Sequence, residues 1–163
     1  EGADTKNGKF SGCTGIVDAS NASGMKDWGV NLCGSRIGFG VEDSTVLSRR
    51  DVVTGRWLFV AAVRDMKKGK IELYIDGVYQ GEAEAAKGVV LDGTPEIYIG
   101  ALHANPQQPR FLYAGCIDEL TIYNKTLSAR KIRKLYEELN PYRKAKGKHE
   151  KEPKEVEHEP GRI

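Results

Sequence analysis

Between Trp57 and Tyr123 the chain repeats one pattern, a short run of β-forming residues and then a turn signal. R-W-L-F-V-A-A-V-R-D is followed by I-E-L-Y-I-D-G, E-I-Y-I-G and G-C-I-D-E-L-T-I-Y. The pivot is Asp76-Gly77. Both central positions of a two-residue type I′ hairpin need positive φ, which Asp and Gly tolerate, so the flanking runs pair antiparallel. Ile71, Leu73 and Ile75 recur at every second position and predict the inner face of a strand, with Glu72 and Tyr74 turned outward. Trp57, Phe59, Ala61 and Val63 alternate with Leu58, Val60, Ala62 and Arg64. The first set reads as core, and the apolar character of the second suits a central strand. Ile97 and Ile99 mark a further strand ended by Gly100, and residues 115–123 read as the last.

Upstream, residues 13–19 form a short strand around Ile16 and Val17. Trp28, Val30 and Leu32 alternate with Asn31 and Cys33. Gly34-Ser35 is a hairpin turn, and Ile37, Phe39 and Val41 alternate after it. Downstream, Ser128 is a helix N-cap, with Leu127 placed to staple onto Ile132. Ile132, Leu135, Tyr136 and Leu139 line one helical face, and Pro141 stops it. Many short strands with regular turns and one terminal helix predict an all-β, antiparallel two-sheet sandwich with a short C-terminal helix. The expected organisation is a loop over residues 1–12, a domain over 13–140 and a charged, extended or disordered tail over 141–163.

Charge removes one class of partner. Residues 141–163 hold seven Lys/Arg and five Asp/Glu of the chain's 25 and 23, which leaves 18 of each elsewhere. A neutral domain lacks the basic face that phosphate contacts require, so no nucleic-acid binding is expected. No run of 18 apolar residues exists, and no membrane insertion is expected. The start at Glu1-Gly2-Ala3, with no signal peptide or initiator Met, reads as a mature or cut chain. Cys13, Cys33 and Cys116 form an odd set without a C-x-x-C pair. Three buried free thiols is the favoured reading, with one disulfide and a spare thiol as the alternative.

The segments W-x-F-V-A-A-V-R-D, K-I-E-L-Y-I-D-G, E-I-Y-I-G and G-x-I-D-E-L-x-I-Y-N-x-x-L-S together resemble the laminin G-like jelly roll of the concanavalin A-like lectin/glucanase superfamily. The upstream G-I-V-D and W-G-V-N-L-C-G-S-R-I-G-F-G-V are similar to a bacterial branch of it. The resemblance covers about residues 13–139 and implies a jelly-roll sandwich. Members open with an apolar strand of the type F-T-x-x-x-W-V-K, and nothing like it precedes Cys13. Either the chain is a fragment or it was cut from a longer precursor; the expectation is that another polypeptide of the assembly supplies the strand, with partner chains at residues 1–12 and 141–163.

Asp118, in I-D-E-L-T-I-Y, matches a strand that in glucanases of the superfamily contributes an Asp to a structural calcium site, so the resemblance implies one calcium ion there. The alternative is pairing with Arg or Lys, or turn capping. Asp43, in G-V-E-D-S-T, is a loop carboxylate of a kind that binds calcium or sugar hydroxyls, or is a plain turn residue. Outward-facing Tyr74 and Tyr79 are the candidate ligand contacts, with Tyr98 and Tyr113 similar. Trp28 and Trp57 are expected in the core, Trp57 more firmly. Asn21 and Asn124 stand in glycosylation sequons, the latter in a tight turn. His103, His149 and His158 have no zinc spacing.

Glycosidases of this fold need two carboxylates flanking the sugar bond, and no E-x-D-x-E strand occurs. Glu82 and Glu84 have i,i+2 spacing but no third acid. The expectation is therefore a non-enzyme. It is an extracellular, cell-surface or periplasmic recognition module for carbohydrate or protein. The alternative is a structural or accessory subunit, or a processed fragment, of a larger secreted or periplasmic complex, and a glycosidase of the same fold is the third reading.

Overall fold

The computed structural model describes residues 13–19, 26–92, 96–102 and 112–143. The expected loop 1–12, most of the tail, Asn21 and the three His lie outside them. Eight strands are present among the described residues: β1 (Thr14–Asp18), β2 (Trp28–Cys33), β3 (Arg36–Val41), β4 (Ser44–Leu47), β5 (Val60–Asp65), β6 (Lys70–Ile75), β7 (Val78–Glu84) and β8 (Tyr98–Ile99). Helix α1 (Ala129–Leu139) follows. The strands form two antiparallel sheets, ordered β4-β3-β2-β1-β8 and β5-β6-β7. The two-sheet sandwich with one short helix is the architecture the turn spacing predicts.

The hairpins form where the turn chemistry requires. Gly34 (φ 63°) opens the β2–β3 turn, and Asp76 (φ 52°) and Gly77 (φ 71°) make the β6–β7 turn. A Cβ on Gly77 would lie 3.1 Å from the Tyr136 ring, so this turn also has to be bare where α1 crosses it. Strand β4 was not anticipated. Glu42, at φ 52°, accepts a positive-φ turn position that usually goes to Gly or Asn, and the S-T-V-L run behind it folds back onto β3.

The core between the sheets joins Ile37, Phe39, Val41 and Val46 to Ile71, Leu73 and Ile75, with Val52 at one side. All three β6 residues are fully buried. Trp28, Val30 and Leu32 pack against this cluster from β2, as their alternation predicts. A second cluster lies on the far face of β5-β6-β7. There Val63, Tyr74 and Ile132 are buried together, with Phe59, Ala61 and Leu127 packed on them. The assignment of faces on β5 is therefore corrected. Leu58, Val60 and Ala62 face the sandwich core, while Phe59, Ala61 and Val63 lie beneath the helix. Both faces are apolar because both are covered. Trp57 is not core. It precedes β5 and is 47% exposed, with its backbone N–H donating to the Tyr142 hydroxyl at 2.9 Å.

The helix begins as its cap predicts, with the Lys131 N–H donating to Ser128 Oγ at 3.3 Å. Residues 115–123 do not form the expected last strand. Residues 112–127 run outside both ladders, and Leu120, Ile122 and Tyr123 are exposed there. The cysteine reading is also corrected. Cys13 and Cys33 form a disulfide, and Cys116 is free and exposed. Pairing of Thr14 with Leu32 brings the two residues just outside that pair together at the ends of β1 and β2. Spacing in sequence could not show this juxtaposition.

Closing a loop of this length removes unfolded-chain entropy worth ~3 kcal/mol. Reduction, or replacement of Cys13 and Cys33 by Ser, is expected to lower the melting temperature by ~10 °C. Thermal unfolding with and without dithiothreitol measures this, and the Cys116→Ser protein should respond to reductant as the parent does.

Candidate functional site

The outer face of β6 and β7 brings together polar and aromatic side chains, Lys70, Glu72 and Tyr74 from β6 and Tyr79 and Glu82 from β7. Register places Tyr74 opposite Tyr79 and Glu72 opposite Glu82, with a shift between Leu73 and Tyr74. That shift is a bulge at Gln80. It puts Tyr79 and Glu82, three residues apart, on one face, where strict alternation would have separated them. Gln80 itself is buried, accepting from the Arg49 N–H at 3.2 Å and donating to the Val78 carbonyl at 3.1 Å. The bulge is thus held from both sides.

Two like charges directly opposite in a sheet repel. Here each carboxylate is provided with a donor. Tyr74 Oη donates to Glu72 at 2.7 Å, and Tyr79 Oη donates to Glu82 at 3.1 Å. Lys70 Nζ forms an ion pair with Glu82. Lys70 and then Tyr79 hold the Glu82 carboxyl below its usual range, so it stays ionised at neutral pH. The Tyr74 phenol is pushed up first by burial and then by its bond to Glu72, so it remains a donor. Tyr74 and Tyr79 meet edge to face with centroids 5.5 Å apart, and the Arg49 guanidinium lies 5.9 Å from the Tyr79 ring.

The two candidate tyrosines therefore differ in access. Tyr79 is 39% exposed, whereas Tyr74 is 5% exposed because Ile132 of α1 packs over it. Tyr74 is a support for Tyr79, not a surface of its own. Asp43 lies elsewhere, exposed in the two-residue β3–β4 turn. Asp118 is exposed in the segment after residue 112, where its carboxylate accepts the Glu119 N–H at 2.8 Å. Among the described residues no group of three or more His, Cys, Asp or Glu gathers at a metal-holding distance.

Lys70 and Arg49 escaped the sequence reading, which placed Glu72 only on an outer face and weighed Glu82 only as half of an acid pair with Glu84. The isolated Gly81 inside a strand pattern was the signal available, since such a glycine marks a bulge. Also missed was a polar layer on the far face of β1 and β2, where Asp18, Asp27 and Asn31 are all buried. Burial, followed by the charges of Asp18 and Glu42, raises the Asp27 carboxyl, against two backbone N–H bonds that lower it. Its Oδ1 has no hydrogen-bond partner among the described residues.

The laminin G-like profile of the concanavalin A-like lectin/glucanases superfamily matches residues 6–133, and the chain belongs to that family. No curated protein sequence matches it. A heptameric SAP-like pentraxin from Limulus polyphemus shares the fold, with a TM-score of 0.61 and 15% identity over 76% of this chain and 62% of the pentraxin. An S-layer domain-containing protein from Clostridium thermocellum aligns with a TM-score of 0.45 and 25% identity over 72% of this chain and 59% of the other. The chain thus spans about three fifths of each of these proteins' length. No described helix is long and apolar enough to cross a membrane.

Ionised Asp27 opposes folding. Its raised folded pKa means that its contribution to stability is fully present below its ordinary 3.8 and is lost as pH rises through the folded value. Asp27→Asn is expected to raise the melting temperature by ~2–4 °C at pH 7, with the gain disappearing below pH ~4. Thermal melts of both proteins across that range check the sign.

Proposed function

We propose that this domain is a non-catalytic recognition module that binds carbohydrate on the β6–β7 face, with Tyr79 as its platform. The observation that carries the reading is an exposed aromatic ring held on a rigid sheet and flanked by Arg49, Lys70 and Glu82. An aromatic plane covers the apolar face of a sugar ring, while a carboxylate and cationic donors at its rim bond the hydroxyls. The buried Tyr74 and the bulge at Gln80 fix the platform before any ligand arrives, which lowers the cost of binding.

The same groups argue against glycoside hydrolysis. A general acid must hold a proton at working pH, and the Lys70 partnership keeps Glu82 ionised. The Cys13–Cys33 disulfide supports a location in an oxidising compartment, outside the cell or in a periplasm.

Titration of the domain with candidate polysaccharides, followed by calorimetry on those that bind, tests the reading. Tyr79→Ala is expected to weaken binding by ~10-fold or more while the melting temperature changes little, since this side chain is partly exposed. No reducing ends should appear on prolonged incubation. Binding that survives Tyr79→Ala unchanged, or inertness toward every glycan tried, would sink the proposal.

A further inference from the structure

Arg49 differs from the other cations around the Tyr79 face. Lys70 pairs with Glu82, Lys68 with Asp65, and the neighbouring Arg50 with Asp76. Arg49 is exposed and forms no ion pair among the described residues. Its guanidinium contacts the Tyr79 ring, 5.9 Å from the centroid. That lies at the outer limit of the ~6 Å over which a ring face attracts a cation. The N–H donors of the guanidinium are therefore spent neither on the ring nor on a described carboxylate.

The main chain that carries this side chain is held from several directions. Ser48 is fully buried, and its Oγ accepts from the Ile37 N–H at 3.1 Å and donates to the Arg50 carbonyl at 2.8 Å. The Arg49 N–H donates to the buried Gln80 side chain, and the Arg50 side chain is tied to Asp76 in the β6–β7 turn. The root of Arg49 is thus fixed before a ligand arrives, which lowers the ordering cost of engaging it. Charge is sorted as well. Glu82 is offset by Lys70, Glu72 lies one strand further in on β6 and accepts from Tyr74, and Glu84 stands at the far end of β7 opposite Lys70. The charge left over beside the Tyr79 ring is the positive charge of Arg49.

We infer that the Tyr79 platform selects acidic glycans, with Arg49 holding the carboxylate of a uronic acid or a sulfate ester on the sugar that covers the ring. This rests on the reading of that face as a carbohydrate platform. A planar guanidinium offers parallel N–H groups that match two oxygens of one anion, and such charged, forked bonds are stronger than bonds between neutral groups. A neutral hydroxyl engages one donor and leaves the cation without a counter-charge. Carboxylate and sulfate present the same pair of oxygens to the fork, so both belong to the class.

Calorimetric titration of the whole 163-residue chain with three galactose-based polymers tests this: neutral galactan, polygalacturonate and a sulfated galactan. An acidic polymer is expected to bind ~10-fold or more tightly than the neutral one, and the tighter of the two acidic polymers names carboxylate or sulfate. Arg49→Gln should erase that preference without unfolding the domain, because the bond to Gln80 is made by the main chain. Arg49→Lys keeps the charge without the fork and should reduce the preference without abolishing it. Lys125→Gln removes the same charge from the turn before α1 and should leave the preference intact, which separates a local site from overall charge. Two results would overturn the selectivity while leaving the platform: galactan bound as tightly as the acidic polymers, or an acidic preference that survives Arg49→Gln. Acidic binding unaffected by Tyr79→Ala, or no binding of any of the three, would remove the platform as well.

Discussion

The contact of β6 with the opposing sheet is the condition on which the other features rest. Ile71, Leu73 and Ile75 are fully sealed from water against Ile37, Phe39, Val41 and Val46. Each such side chain contributes about 1.5–3 kcal/mol on burial. With β6 immobile, its outer face becomes a fixed base. Tyr74 is held between that base and Ile132, Tyr79 leans on Tyr74, and the charged groups are arranged around Tyr79. The same strand carries β5 on its other side, so β5 and the aromatic platform are parts of one rigid three-stranded unit.

The features legible in the sequence were those fixed by local rules. Asp76-Gly77 and Gly34-Ser35 fold where a turn demands positive φ, the β6 alternation marks its inner face, and Ser128 caps α1. Features set by pairing across the fold were not legible. The Cys13–Cys33 bond depends on the β1–β2 register, and the shared face of Tyr79 and Glu82 depends on a bulge. The strand pattern of residues 115–123 was real as a pattern. A strand forms only against a neighbouring ladder, and the neighbour these residues face across a groove is at a distance. The doubly apolar pattern of β5 was read as that of a central strand, but among the described residues β5 lies at the edge of β5-β6-β7, and its two faces are apolar because each packs on a different cluster.

Buried polarity on the far side of the other sheet follows a different logic. Asp18, Asp27 and Asn31 occupy positions where an apolar residue would pack without desolvation cost. Glycine neighbours on that face keep the layer thin. A Cβ on Gly15 would approach the Ala101 carbonyl oxygen to 2.3 Å, so residues 101–102 lie directly on the strand. The tight cover and the buried carboxylates occur together on β1 and β2, the strands that the disulfide ties.

That disulfide also sets the path of mechanical load. Cys13 stands at the entry to β1 and Cys33 at the exit of β2. Tension arriving at Cys13 crosses the sulfur bridge directly into Cys33. The intervening residues form a closed loop that carries no force, and ~65 Å of contour length is withheld from extension. Under a pull, β1 and β2 are shielded, and the load passes from Cys33 along the chain into β3.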